Sequence, residues 1–375
     1  MSDVVEINDL EELESYRLAW NVLMPQTSRA SFFHTFDWLQ TYWQSFGSDQ
    51  KLRVLVVRSN RKTIGIVPLC VKTERYQVGQ VRVLTYPLSD WGMWYGPIGP
   101  NPSASLFMTM KHLRGTPRDW DMLDLRWSGA EAGLTDPTGR ALHATGWQGE
   151  RSEYQRTSII RLEGSDWESY RAALSKKWRH ELGRQQRGLE RDFEISVERH
   201  RPLGASHGDA ESRWDLYANC LDIAEHSWQG DSTTGNTLSH DHVRAFLQNC
   251  HEVAAKLGML DMVVLKLDGQ PAAFQYNYLF DGKLYGLRMG YDRNFAKHGV
   301  GKALMGWTLQ DSFERGDRLI DLGIGDFEFK RRFRTEAQKS YRYTYYPWRA
   351  WRGQSVRLTR WIKSRLRPDE PVTTK

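Results

Sequence analysis

Cysteine is scarce: the 375 residues hold three, Cys70, Cys220 and Cys250, far apart and without a CxxC pair. This spacing excludes a disulfide framework and a thiolate zinc site, and leaves each as a small buried hydrophobe. Long apolar runs are missing as well. The longest, such as Leu52 to Val57 or Met262 to Leu265, are cut off by charges, far short of the roughly 20 residues that span a bilayer. No transmembrane helix is expected. The N-terminal MSDVVEINDLEELES is acidic and lacks the basic-then-apolar layout of a secretory signal. The expected location is the cytoplasm, with the inner face of a membrane as a second station. There is no low-complexity segment and no short-period repeat, which excludes solenoids and propellers. His240 and His242 lie close together, but no Cys or carboxylate cluster completes a ligand set, so no metal is expected.

What is present is a globular composition, 40% hydrophobic and 26% charged, with 16 Trp and a net charge of +6. The length suits two domains of ordinary size, and the tryptophans suit cores and pocket walls. The positive balance favours an anionic partner, whether nucleic acid, membrane surface or phosphorylated cofactor. Hydrophobic spacing gives a helix from about Thr35 to Phe46, ended by Gly47. Strand patterns follow at Leu52 to Val57, Thr63 to Val71, Val81 to Tyr86 and Asp121 to Trp127, with the Gly, Pro and aromatic stretch PLSDWGMWYGPIGPNP as a loop among them.

The second half opens on the strand TSIIRL. Ser165 and Glu168 then have capping-box spacing ahead of one long basic helix, about Asp166 to Arg191, with Tyr170, Leu174, Trp178 and Leu182 on its apolar stripe. A strand (Phe193 to Glu198), a helix from about Ala210 to Ser227, the loop QGDSTTGNTLS and a helix from about His240 to Leu257 come next. Three strands, MLDMVVLKL, PAAFQYNYLF and KLYGLRMGY, are joined by Asp268-Gly269 and Asp281-Gly282, strong hairpin signals that make an antiparallel meander.

Directly after that meander stands DRNFAKHGVGK, then a helix with Met305, Leu309 and Phe313 on one stripe, then the strand RLIDLGIG. Strand, glycine loop, helix and strand in this order build an anion site, because glycines let the backbone approach and free N–H groups at the helix start point at phosphates. A dinucleotide-binding unit would put its glycines after the first strand of a parallel βαβ unit. Here hairpin-linked strands precede them. That order is similar to the GNAT acyltransferase superfamily, whose pyrophosphate motif is Q/R-x-x-G-x-G/A. Gly299 and Gly301 match it around Val300, Ala296 stands at the Gln/Arg place, and Lys297, His298 and Lys302 are placed to supply the missing charge.

Across nearly the whole chain, the strings SFFHTFDWLQTYWQSFG, IGIVPLCV, LSKKWRHELGRQQRGLE, AEHSWQG, GYDRNFAKHGVGKAL and DLGIGDFEFKRRF resemble CelD-type GNAT proteins of bacterial polysaccharide and cellulose biosynthesis loci, relatives of the FemAB aminoacyltransferases. The resemblance implies an α/β fold of tandem GNAT-like halves, with mixed, mostly antiparallel sheets flanked by helices. Residues 1–155 would be a degenerate half, since NPSASLFMTMKHLRG has no GxG at its helix start. Residues 156–345 would be the acyltransferase domain, and 346–375 a basic amphipathic tail.

The implied reaction is direct attack of an amine or hydroxyl on an acyl-CoA thioester, acetyl-CoA or a longer one, with no metal and no covalent nucleophile. The carbonyl would meet a backbone N–H near Met289 to Tyr291. Asp326, at the end of a strand, is the first candidate for the proton, with Lys330 four residues on; the competing reading of Asp326 is a helix cap. Asp321 suits a buried carboxylate paired with Arg288 or Lys330. His226 and Glu225 end a helix before a long Gly and Thr loop, and Trp228 suits either a sugar-stacking wall or core. Lys176 and Arg179, beside Lys177, suit an acceptor diphosphate or a solvated face. The acceptor expected is a sugar, nucleotide sugar or lipid-linked glycan. Charged tRNA as acyl donor and a non-catalytic nucleic-acid or membrane binder are the alternatives. In the tail, Leu358, Trp361, Ile362 and Leu366 form a stripe that suits either an anionic membrane surface or packing onto the domain.

Overall fold

The computed structural model describes residues 2–88, 91–129, 136–231, 237–238 and 240–366. They fall into two compact units, one of residues 1–155 and 339–375 and one of residues 156–338. In chain order the first unit begins with β1 (Ser2–Ile7), α1 (Leu10–Glu14), α2 (Arg17–Leu23), α3 (Phe36–Phe46), β2 (Gln50–Ser59), β3 (Lys62–Tyr76), β4 (Gly79–Thr85), α4 (Pro102–Gly115), β5 (Met122–Gly129) and α5 (Pro137–Ala144). The boundary then falls inside β6 (Glu150–Arg161). The second unit continues with α6 (Trp167–Ala173), α7 (Lys176–Asp192), β7 (Ile195–His200), α8 (Trp214–Glu225), α9 (Asp241–Lys256), β8 (Leu260–Leu267), β9 (Gln270–Phe280), β10 (Lys283–Tyr291), α10 (Val300–Glu314), β11 (Leu319–Ile324) and α11 (Glu328–Phe333). The chain returns to the first unit through β12 (Glu336–Tyr345) and α12 (Trp351–Leu366).

Each unit repeats one plan. In the first, β1 to β4 pair antiparallel in sequence order, β4 and β5 run parallel, and β12 pairs antiparallel with β5. In the second, β7 to β10 pair antiparallel, β10 and β11 run parallel, and β6 pairs antiparallel with β11. The connection between the two parallel strands is a helix in both cases, α4 and α10, as a parallel crossover requires. This is the mixed, mostly antiparallel, helix-flanked fold expected from the sequence.

Local chemistry explains the hairpins. Asp268 and Gly269 have φ of 49° and 79°, and Asp281 and Gly282 have 49° and 67°. Two consecutive positive φ values make the turn whose twist matches that of its strands. Along β9 the side chains alternate between two layers. Gln275 and Asn277 face α10 and its neighbours, meeting Met305 and the Asp261 carboxylate, while Tyr276 faces α8 and α9, meeting Tyr217 and His251. The three cysteines are buried and unbridged.

Four sequence expectations change. The single helix from about Asp166 to Arg191 is two helices. Leu174 (ψ 150°) and Ser175 (ψ 144°) are extended, and the Ser175 hydroxyl accepts the Trp178 N–H to start α7 afresh. The first of the pair is capped by Asp166, which accepts the Ser169 N–H, so Ser165 and Glu168 do not form the capping box. The helix read from about Ala210 starts only at Trp214, after Arg213 in a left-handed conformation (φ 46°). In the tail, α12 packs on the first unit through Gly353 and Val356, so the stripe of Leu358, Ile362 and Leu366 is not the packing face.

Candidate active site

The parallel pairing of β10 with β11 is short. It runs only over Lys283 to Tyr285 against Leu319 to Asp321. Gly286 is the next residue, and a Cβ there would lie 2.9 Å from the Asp321 carbonyl oxygen, so only glycine lets the two backbones come this close before they part. Leu287 is then an extra residue in β10, a bulge against β9 between Gly286 and Arg288. A bulge bends its strand and is favoured beside active sites. Beyond it, the Met289 carbonyl accepts a hydrogen bond from Gln229 Nε2 rather than from β11.

Charged side chains gather where β10 and β11 diverge. Asp321 is buried, and one carboxylate oxygen accepts the Gly323 N–H at 2.8 Å. Lys330, on α11, is 9% exposed and donates from Nζ to the Ile324 carbonyl. Burial pushes its pKa down from 10.5 to about 8; the nearby Asp321 charge resists this and Arg288 adds to it. A lysine so held is partly neutral near physiological pH. Arg288 donates to the Leu287 carbonyl. Ile324, the last residue of β11, and Phe327, before α11, are exposed, and Lys330 Nζ lies 5.6 Å from the Phe327 ring centroid.

Asp326 sits on the loop between β11 and α11 but is engaged by Arg334 and Arg331 in ion pairs. It is not the cap of α11, whose N-cap is Phe327.

The glycine turn follows β10. A short 3-10 turn, Arg293–His298, leads to Gly299 (φ 71°), which opens the 15-residue helix α10. The Lys302 and Ala303 amides fold back onto the Gly299 carbonyl at 3.0 and 3.1 Å. Among the described residues, no acceptor takes the Val300 and Gly301 amides, the pair a helix start offers to an anion. Val300 directs its side chain into the core, and a Cβ on Gly301 would press on the Tyr291 ring at 3.1 Å. On the other side a Cβ on Gly299 would fall 2.5 Å from the Gln185 side chain, whose buried Oε1 has no hydrogen-bond partner.

The cations expected at this turn are divided. Lys297 is exposed. His298 sets its ring edge-on to Phe193, 4.9 Å between centroids. Lys302 is bonded at 2.6 Å to Glu181 of α7, which also lies 3.6 Å from Arg332. The bond from Lys302 holds the Glu181 carboxyl below its usual range. In the first unit the equivalent helix start differs in its backbone donors. Pro100 and Pro102 have no N–H, and the Gly99 N–H is bonded to Thr27 Oγ1.

The remaining candidates lie on other elements. His226 closes α8 exposed, bonding from Nδ1 to the Asp222 carbonyl; that bond and the Asp222 charge raise its pKa. Its own carbonyl accepts the Arg293 N–H, while Ser227 and Gln229 behind it are buried against Gly290. Glu225 and Trp228 are exposed. Lys176 and Arg179 lie on the first turn of α7, Arg179 reaching back to the Ala172 carbonyl. The Gly and Thr loop falls largely outside the described residues, as do residues 367–375. Among the described residues no cluster of His, Cys, Asp or Glu could hold a metal.

Four contributors escape sequence reading: Gly286, the Leu287 bulge, Gln185 and Glu181. Nothing in the β10 sequence announces a bulge, and Glu181 and Gln185 are two polar residues among many on a charged helix.

Residues 176–331 match a family described as an acetyltransferase (GNAT) domain. No curated protein matches the chain. Among solved structures, FemX aligns with TM-score 0.60 and 11% identity over 95% of this chain and 99% of its own. The C-terminal domain of a lysylphosphatidylglycerol synthetase from Agrobacterium fabrum aligns with TM-score 0.55 and 11% identity, over 95% and 98%. L-PGS from Bacillus licheniformis gives 0.50 and 15%, over 87% and 96%. At these identities the likeness is one of fold.

Proposed function

We propose that the second unit moves an acyl group, acetyl or longer, from a coenzyme A thioester to an amine or hydroxyl. The acceptor in this reading is a sugar, nucleotide sugar or lipid-linked glycan precursor of polysaccharide or envelope synthesis, in line with the CelD-like strings. One observation supports it above the others. A parallel strand pair parts at Gly286, and the strand that bends away leads into a left-handed glycine and a helix start with two free amides. Val300, Gly301 and Lys297 would hold the diphosphate of the donor, which supplies the activated carbonyl.

Among the described residues, Lys330 is the proton acceptor of this reading. With a pKa of about 8, Lys330 Nζ is neutral in a useful fraction of molecules. The acceptor nucleophile attacks the thioester carbonyl and loses its proton to Nζ. The carbon–sulfur bond breaks, and the proton passes from Nζ to the departing thiolate. Asp321 and the Ile324 carbonyl hold Lys330 in place, and backbone amides near Met289 to Tyr291 face the developing oxyanion. Asp326, engaged by two arginines, serves to fix the loop.

Thiol release by the purified chain from a panel of acyl-CoAs, offered with amino sugars and nucleotide sugars, tests the reading. Titration calorimetry with acetyl-CoA accompanies it. Absence of binding, together with no effect of Gly301→Asp, would remove the donor assignment.

A second donor, aminoacyl-tRNA as in FemAB relatives, gains weight from one contact: Lys302, which a diphosphate would want, is already paired with Glu181. Glu181→Gln separates the two. It frees Lys302 and should tighten acetyl-CoA several-fold if the diphosphate sits there, and leave it unchanged if the donor is charged tRNA.

A further inference from the structure

The C-terminal helix α12 has two faces with opposite tasks. At 100° per residue, Gly353, Val356 and Arg360 share one side. Gly353 comes so close to the first unit that a Cβ would lie 2.2 Å from the Asp121 carbonyl oxygen, and Val356 is 2% exposed. Arg360 bonds Tyr346 Oη at 2.8 Å, and Arg357 bonds Glu150 at 2.8 Å. These contacts fix the helix to its unit and leave the other side turned to solvent.

That other side is apolar. Trp351, Leu358, Ile362 and Leu366 fall within about 80° of one another and are 68%, 57%, 43% and 75% exposed. Trp361 at the edge and Trp348 in the turn before the helix are exposed too. A stripe of this size on an otherwise anchored helix marks a binding surface.

Charge selects the occupant. From Tyr346 to Leu366 there is no Asp or Glu. Arg352 and Lys363 border the stripe on one side and Arg365 on the other, while Arg349 stands beside Trp348. Several of these guanidinium groups lie over tryptophan faces, Arg349 4.6 Å from Trp348, Arg352 5.3 Å from Trp351 and Arg365 5.4 Å from Trp361. Tryptophan with arginine around an aliphatic strip fits the water–lipid boundary, where rings sit at headgroup level and cations meet anionic lipids. A second copy of the chain would bring arginine against arginine across a twofold axis. A nucleic acid would have to bury the aliphatic centre against phosphates. No helix of the described residues is long and apolar enough to cross a membrane.

We infer that α12 is a peripheral membrane anchor, whose face of Trp351, Leu358, Ile362 and Leu366 docks the full chain flat on an anionic bilayer. This does not depend on the acyl-transfer reading.

The test is co-sedimentation of the full chain with vesicles of phosphatidylcholine containing about one third phosphatidylglycerol, and with pure phosphatidylcholine. Binding to the anionic vesicles is expected, weakened by high salt and at least about tenfold lower on the neutral ones, since each basic residue near the surface contributes roughly fivefold. Leu358→Glu with Ile362→Glu should lower the bound fraction at least about tenfold, and Leu358→Ile with Ile362→Leu should restore it. Both positions point to solvent, so the far-UV circular dichroism melt should not move; it separates lost docking from lost folding. Failure of the wild type to pellet overturns the inference. So does equal binding to neutral vesicles, indifference to the double Glu variant, or a dimer or duplex-DNA complex that the variant abolishes while vesicles are ignored.

Discussion

Lys330 carries the sharpest single-residue expectation. In the proposed reaction, a lysine buried until its pKa reaches about 8 is charged and idle below that pH and neutral above it. The rate of thiol release should therefore rise with pH and level off above about 8, as an acid limb assigned to the free base. Lys330→Arg keeps the positive charge beside Asp321 but cannot release a proton near neutrality. It should lower kcat by about 10²- to 10⁴-fold and remove the limb. A variant that keeps both would transfer the proton role elsewhere. Gly286 tests the geometry instead. Alanine there sets a methyl 2.9 Å from a backbone oxygen that no side-chain rotation can move, so Gly286→Ala should cost about 1–3 kcal/mol in urea unfolding.

At this scale the sequence was legible where a residue type has one main use. Gly299 before a helix and Asp-Gly between alternating strands require positive φ, and they have it. The strand pattern puts Asp321 inward as a buried carboxylate, and it is buried. It was not legible where the answer depends on a partner far along the chain: Glu181, 121 residues from Lys302, takes the cation that the glycine motif alone would give to a phosphate.

Helix α7 shows what decides an element. The apolar stripe from Tyr170 through Leu182 keeps one period across Leu174 and Ser175, which is why it reads as one helix. Periodicity reports the buried face but not whether the backbone stays helical between two buried residues. The break is local chemistry: Ser175 Oγ accepts the Trp178 N–H and caps a new start. Ser175→Ala should cost about 0.5–2 kcal/mol, read as a shift in the urea midpoint, and should raise hydrogen exchange over the first turn of α7, where Lys176 and Arg179 lie. An unchanged exchange rate there would mean that packing of Trp178, not the cap, fixes the break. The tail shows the converse. Its exposed stripe was visible in the sequence because an amphipathic pattern is local. Which face packs was not, because Gly353, the residue of closest approach, has no side chain to appear in such a pattern.

Over the whole molecule, each unit is built around a fully buried aspartate among arginines. In the first, Asp124 on β5 is bonded to Arg342 of β12 and Arg126, with Arg360 of α12 nearby. In the second, Asp261 on β8 is bonded to Arg199 and Arg201 and accepts from Asn277. Burial alone would push both carboxyl groups up; the arginines outweigh it, holding Asp124 well below the usual carboxylate range and Asp261 below it. A carboxyl with a depressed native pKa stabilises the fold above its unfolded value, near 3.8, and that stability is lost as the pH falls further. Both units should therefore unfold in acid below about pH 4, with the net charge of +6 rising as carboxylates protonate and adding repulsion. A far-UV dichroism titration that stays native at pH ~2 would contradict this. At neutral pH, Asp124→Ala leaves Arg342 buried without its partner and should cost about 3–5 kcal/mol. Hydrogen exchange should then rise first at β5 and β12, whereas Asp261→Ala should loosen β7 and β8, because each aspartate neutralises arginines of its own unit.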